Sequence, residues 1–167
     1  SQSAQKQMMY YRDKCINCGK CAEICPNHLK KCDLCGKCES YCPVDARKIC
    51  GKEYTLDEVL DIIVKDKMFY INSGGGVTFS GGECMVYPNE LDAILKLCKE
   101  NEIHTAIDTA GNVPWESFER VLPYTDLVLY DIKAISNDIH EKYTGVSNKQ
   151  ILTNLRRLFN INKTLWL

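Results

Sequence analysis

Eight of the eleven cysteines fall within the 28 residues from Cys15 to Cys42, and no other feature constrains the chain as much. The block is an internal repeat with a 17-residue period. Cys15-Ile-Asn-Cys18-Gly-Lys-Cys21-Ala-Glu-Ile-Cys25-Pro26 aligns with Cys32-Asp-Leu-Cys35-Gly-Lys-Cys38-Glu-Ser-Tyr-Cys42-Pro43, with seven of twelve positions identical. A secreted disulfide scaffold spreads its cysteines through a whole small domain. Here more than a hundred residues of ordinary sequence follow the block, and the other three, Cys50, Cys84 and Cys98, are scattered.

Each copy reads C-x2-C-x2-C-x3-C-P, the ligand run of bacterial ferredoxins that carry four-iron clusters. Three closely spaced thiolates wrap one cubane. The glycine after the second cysteine permits a tight turn that aims amide N–H groups at sulfur. The closing proline turns the chain away without stranding a donor. In two-cluster ferredoxins the fourth cysteine of each run serves the other cluster. This assigns Cys15, Cys18, Cys21 and Cys42 to one cluster, and Cys32, Cys35, Cys38 and Cys25 to the second. Structural zinc is the competing reading, because C-x2-C pairs also bind zinc. Two tandem runs, each closed by proline, are more specific than one such pair. Only six residues, 26–31, separate the runs, so any hairpin between them is trimmed or absent.

Charge follows the same division. Residues 1–52 hold ten Lys or Arg against five Asp or Glu, and the remainder eleven against seventeen. A basic surplus there suits two buried anionic clusters; a solvated basic face is the plainer alternative. The net charge of the whole chain, -1, argues against a nucleic-acid binder that works by neutralising phosphates. With 45% hydrophobic and 26% charged residues the 167-residue chain has a globular composition. It has no apolar run long enough for a membrane span and no visible secretory leader. The expected setting is a reducing, oxygen-poor cytoplasm of an anaerobic prokaryote.

After Gly51 the pattern changes. Thr55-Leu-Asp-Glu58 is a capping box opening a helix over about 56–67. Helices are also expected over 88–100, 114–121 and from a cap at Ser147 through Leu158. Strands are expected at 77–80, 103–108, 126–132 and 164–167. Alternating strands and helices imply a parallel sheet, whose chemistry sits at the carboxyl ends of the strands. Gly81-Gly82-Glu83, Asp108-Thr109 and Asp131-Ile132-Lys133 occupy three such ends. Each alone could be a turn or a helix cap; three converging ends are better evidence. The glycine run lacks the Gly-Lys-Ser/Thr of a phosphate loop and does not match the dinucleotide pattern. His28, His104 and His140 have no partners at ligand spacing, Cys98 reads as core, and Cys84 and Cys50 read as structural.

Several segments together resemble one family. Gly75-Gly-Val-Thr-Phe-Ser-Gly-Gly-Glu83, Ile107-Asp-Thr-Ala-Gly111, Tyr130-Asp-Ile-Lys133 and His140-Glu-Lys-Tyr-Thr-Gly-Val-Ser-Asn148, followed by Ile151-Leu-x-Asn-Leu155, resemble glycyl-radical-enzyme activating enzymes of the radical S-adenosylmethionine family. The resemblance runs in order along essentially the whole chain. It implies an α/β fold, a partial radical-SAM (β/α)6-type barrel with an inserted ferredoxin-like domain carrying two [4Fe-4S] clusters. On this reading residues 1–12 are the tail of the first βα segment, 13–52 the ferredoxin-like domain and 53–167 a truncated barrel.

The resemblance also implies roles. Gly81, Gly82 and Glu83 would bind the methionine amino group of S-adenosylmethionine, and Lys133 its carboxylate. Asp108, Thr109 and Asp131 would hold a monovalent cation beside it. The family's C-x3-C-x2-C motif, which binds the catalytic third cluster, does not occur outside the ferredoxin-like runs. The expectation is a chain that starts just past that motif at Ser1-Gln2-Ser3 and stops as a strand begins at Thr164, lacking the first barrel strand and the last one or two. Such a fragment has no catalytic residues of its own, exposes an unpaired edge and is expected to be marginally stable. The intact enzyme would cleave S-adenosylmethionine with one electron and abstract hydrogen from a glycine of a partner enzyme, with a flavodoxin or ferredoxin-type protein as donor. The two extra clusters could relay that electron, dock the donor or stabilise the fold. An electron-transfer module of the two-cluster ferredoxin type is the alternative, with the remainder as scaffold.

Overall fold

The computed structural model describes residues 6–167. The expected start signal at Ser1-Gln2-Ser3 lies outside them. The chain divides into two compact units, one ending at Tyr54 and one spanning Thr55–Leu167.

In the first unit, β1 (Gln7–Tyr10) pairs antiparallel with β2 (Arg47–Cys50), from Gln7 opposite Cys50 to Tyr10 opposite Arg47. The sequence reading took residues 1–12 as the tail of the first βα segment; the described part of that segment pairs with β2. The pairing joins segments some forty residues apart, and neither is long enough to show alternation. Between the strands lie two short helices, α1 (Lys20–Ile24) and α2 (Lys37–Ser40). The sequence repeat is also a backbone repeat. Asn17 and Leu34, Gly19 and Gly36, and His28 and Asp45 form three pairs one period apart, and all six residues are left-handed, with φ between 48° and 77°.

The second unit opens with α3 (Leu56–Lys65), where the Thr55–Glu58 capping box forms with both reciprocal hydrogen bonds. Then follow α4 (Lys67–Ser73), β3 (Gly76–Phe79), α5 (Pro88–Glu100), β4 (His104–Thr109), α6 (Trp115–Val121), β5 (Leu127–Tyr130), α7 (Asn137–Thr144), α8 (Lys149–Asn160) and β6 (Leu165–Trp166). The four strands form one parallel sheet in the order β3-β4-β5-β6. This is the expected α/β arrangement. Its core joins Leu91, Ile94, Leu95 and Cys98 of α5 to Phe118 and Val121 of α6, Ile107, Val128, and Ile151, Leu155 and Leu158 of α8. Cys98 is fully buried, as its helical spacing implied. The N-cap of α8 is Asn148 rather than the expected Ser147.

Two residues fix how closely the sheet and helices approach. Gly111 follows β4 at φ +72°, and a Cβ there would stand 1.8 Å from the Tyr130 hydroxyl oxygen. That hydroxyl donates to the Ile151 carbonyl oxygen at 2.7 Å. Asn154 Nδ2, buried on α8, donates to the carbonyls of Gly111 and Val113 at 2.9 and 2.8 Å. One tyrosine and one asparagine thus tie β5 and α8 to the loop after β4. Gly111→Ala is expected to cost about 1–3 kcal/mol by overpacking alone, read as a lowered denaturation midpoint; an unchanged midpoint would contradict the close approach.

At the opposite, amino end of the sheet, Asp126 pairs with Lys99 and accepts from the Thr105 amide at 2.8 Å and its hydroxyl at 3.2 Å. Partial burial raises its pKa, but the Lys99 ammonium and the Thr105 amide outweigh that, and the net shift is downward. A depressed folded-state pKa adds stability above the unfolded value of about 3.9 and loses it as pH falls through the folded one. Asp126→Asn should therefore flatten the acid limb of the stability–pH profile below about pH 4.

Candidate functional site

The eight clustered cysteines line two separate cavities. Cys15, Cys18, Cys21 and Cys42 face one. Cys25, Cys32, Cys35 and Cys38 face the other. Each cavity thus takes three thiols from one run and the fourth from the other, the grouping that the two-cluster ferredoxin precedent led us to expect. Among the described residues, no three Cys, His, Asp or Glu side chains gather where a single metal ion could be held.

The backbone is shaped to receive anionic sulfur. Amides donate to thiols from Asn17 to Cys15 at 3.4 Å, Leu29 to Cys25 at 3.3 Å and Ala46 to Cys42 at 3.2 Å. The left-handed residues aim these N–H groups, forming anion-binding concavities of the nest type. The Tyr10 hydroxyl and then the Asn17 amide lower the pKa of Cys15. Amides, led by that of Val44, lower Cys42. Burial raises Cys38. Cysteines with N–H donors in place would offer, once deprotonated, the donor set that a four-iron cluster takes.

In the second unit the three expected strand ends lie side by side, because β3, β4 and β5 are parallel and in sequence order. Gly81 and Gly82 follow β3 at φ +95° and +56°, conformations that account for the glycine pair. The chain then extends through Glu83, whose half-buried carboxylate reaches across to the end of β4. It accepts the Thr109 hydroxyl at 2.8 and 2.9 Å, the Ala110 amide at 3.1 Å and the Met85 amide at 3.1 Å. Thr109 is buried, and its hydroxyl oxygen also accepts from the Gly111 amide at 2.9 Å. That hydroxyl donates to Glu83; the sequence reading grouped Thr109 with the cation ligands. With Cys84 Sγ at 3.9 Å from Oε1, these contacts take up the roughly four acceptor positions of a carboxylate, so a further donor would share one of them.

Asp108 and Asp131 line an open cleft of ≈ 350 Å³ with Leu129, Tyr130, Trp166 and Leu167. Asp108 accepts from the Ser80 hydroxyl at 2.8 Å, and Asp131 pairs with the exposed Lys133. Cys84 donates to the Asp108 carbonyl at 3.3 Å; burial, and then the Glu83 charge, push its thiol up to about 12. A thiol so protonated is no nucleophile, in keeping with its structural reading.

Sequence reasoning missed three supporting residues. His140 is buried, and its Nδ1 lies 2.8 Å from the Val146 carbonyl oxygen. Asn148 donates to the carbonyls of Ala134 and Ile135 at 3.0 and 2.7 Å, which fixes the loop after Lys133. Asn154 holds the loop after Thr109. The only sequence signal was their place within the quoted segments His140–Asn148 and Ile151–Leu155.

A sequence signature of the radical SAM superfamily covers residues 30–165. One for the 4Fe-4S binding domain covers residues 8–29, which include the first cysteine run. The chain belongs to the radical SAM superfamily. It is 40% identical to the trans-4-hydroxy-L-proline dehydratase activating enzyme of Clostridioides difficile, over 99% of this chain and 59% of that one. It is 40% identical to the (2S)-3-sulfopropanediol dehydratase activating enzyme of Klebsiella oxytoca, over 91% and 53%. It is 45% identical to the pyruvate formate-lyase-activating enzyme of Clostridium pasteurianum, over 70% and 49%. A crystal structure of a domain of pyruvate-formate lyase-activating enzyme from Bacteroides vulgatus is similar at a TM-score of 0.51 and 36% identity, covering 55% of this chain and 56% of that one. The chain spans between about half and three-fifths of the length of these curated relatives.

The Glu83 network gives a direct test of the site. Glu83→Gln replaces one acceptor oxygen with an amide that faces a backbone N–H. The expected loss is about 1–3 kcal/mol of stability, measured by denaturant titration; no loss would mean that Glu83 does not tie the two strand ends.

Proposed function

We propose that this chain is part of an activating enzyme that uses S-adenosylmethionine and iron–sulfur clusters to install a glycyl radical on a partner enzyme. The observation that carries the reading is the side-by-side placement of the Gly81-Gly82-Glu83, Asp108 and Asp131-Ile132-Lys133 strand ends, in a chain that also holds two four-thiol cavities. Cys15, Cys18, Cys21 and Cys42 would hold one [4Fe-4S] cluster, and Cys25, Cys32, Cys35 and Cys38 the other. When bound, the clusters and S-adenosylmethionine supply the one-electron chemistry that produces a hydrogen-abstracting radical.

The protein's own residues bind and orient. Glu83 and the Gly81-Gly82 turn receive the methionine ammonium, for which a carboxylate acceptor is chemically matched. Lys133 receives the methionine carboxylate. Asp108 and Asp131 offer hard oxygen ligands for a monovalent cation beside it. A third [4Fe-4S] cluster belongs to a motif that this stretch of sequence lacks. The partner is a glycyl radical enzyme, as the activating-enzyme relatives suggest, and the donor is of flavodoxin or ferredoxin type. A reducing, oxygen-poor cytoplasm suits such clusters; no helix among the described residues is long and apolar enough to cross a membrane.

Anaerobic reconstitution of the chain should yield about eight irons per molecule; zinc in their place would overturn the cluster assignment. In a longer protein that includes the third-cluster motif, S-adenosylmethionine cleavage and a glycyl radical signal on a partner are expected. Failure of both in iron-replete protein would leave only the electron-transfer module. In the same protein Lys133→Met should weaken S-adenosylmethionine binding about tenfold, the equivalent of about 1.4 kcal/mol, by equilibrium titration; unchanged affinity would remove the role given to Lys133.

A further inference from the structure

Between the two cysteine cavities lies a residue to which none of these roles has been given. Arg47 lines both cavities, and it is the one described residue that does so. Its place follows from the strand. In β2 it pairs with Tyr10 of β1, and Arg47 is half-buried while Lys48 next to it is exposed. The Tyr10 ring carries the guanidinium, with 4.8 Å from its carbon to the ring centroid. Arg47 Nε is the one buried side-chain nitrogen or oxygen among the described residues that has no hydrogen-bond partner. A guanidinium is always charged, and a buried donor left unpaired is costly. The arrangement is explained if the missing partner is an anion within the cavities.

We propose that Arg47 is a shared electrostatic positioning residue that raises the reduction potentials of both four-iron clusters. The inference rests on the cluster assignment above. Each reduction adds one electron to a cluster that is already anionic. A fixed cation stabilises the more negative, reduced form more than the oxidised one, and weakly screened burial strengthens the effect. Because one guanidinium borders both cavities, both potentials move together.

The test is a potentiometric titration, followed by electron paramagnetic resonance, of the full chain reconstituted with iron and sulfide. Arg47→Gln should shift both midpoints to more negative potential, by about tenfold in each reduction equilibrium constant, equivalent to about 59 mV for one electron. Arg47→Lys, which keeps the charge, should stay close to the parent. Lys48→Gln, which removes an equal charge from the exposed side of the same strand, should leave both unchanged. A shift of one cluster only, no shift, or an equal shift in Lys48→Gln would overturn the proposal. If Arg47→Gln does not hold its iron, loss of both clusters with retention in Arg47→Lys supports the shared cation. Loss of one alone, or loss in both variants, overturns it. If the parent chain itself fails to take up about eight irons, it is the cluster assignment that fails.

Discussion

The close approach at Gly111 sets the geometry of the second unit. The Tyr130 ring occupies the space that a side chain at position 111 would need, so the loop after β4 can lie against β5 only with glycine there. From that contact the ties run outward: the Tyr130 hydroxyl to α8, and Asn154 of α8 back to both carbonyls of the loop. Trp115, Phe118 and Tyr130 stack in turn, at centroid separations of 5.4 and 6.4 Å, which packs α6 against the same point. The Gly111 amide in turn donates to Thr109, and Thr109 to Glu83. The carboxylate at the end of β3 is therefore set by a chain of contacts that begins in the core. Hydrogen bonds to a charged group are among the stronger ones, and here they are spent on fixing where Glu83 stands.

Legibility in the sequence follows how local each cause is. The two cysteine runs were readable because ligand spacing is a local property and the repeat states it twice; the exchange of the fourth cysteine came from the precedent of two-cluster ferredoxins, not from spacing. The helices α3, α5 and α8 were readable from apolar periodicity and, for α3, from its capping box. The pairing of β1 with β2 was not, because it joins short strands across the whole cysteine block. Nor were α4 and α7, whose large apolar side chains Met68, Phe69, Ile71, Ile139 and Tyr143 are exposed and mark no buried stripe. The strand ends were found as a set, yet the hydrogen bond from the Thr109 hydroxyl to Glu83 depends on the register between β3 and β4, which no single segment encodes. The buried His140, Asn148 and Asn154 escaped for a related reason. Each is defined by backbone carbonyls elsewhere in the fold, and in the sequence they look like ordinary polar residues.

The two units solve different physical problems with different parts of the chain. In the second, a parallel sheet brings polar side chains from separate segments to neighbouring strand ends, and the backbone serves mainly as a frame. In the first, the backbone itself is the functional surface. Left-handed residues such as Leu34 and Asp45 cost about 1–2 kcal/mol each in isolation, and this unit has few buried apolar side chains, chiefly Cys38 and Ala46, to offset them. The strain recurs one period apart at equivalent places beside the cysteines, so it belongs to the repeat. What the strained turns gain is amides directed at sulfur. That gain grows when sulfur carries negative charge, and a neutral thiol returns little of it. Under the proposed cluster assignment, the conformation of the cysteine-rich unit and the ionisation of its thiols stabilise each other. Metal binding that deprotonates the ligands is then coupled to folding, and the energetic support for this unit comes from its ligands more than from a hydrophobic core.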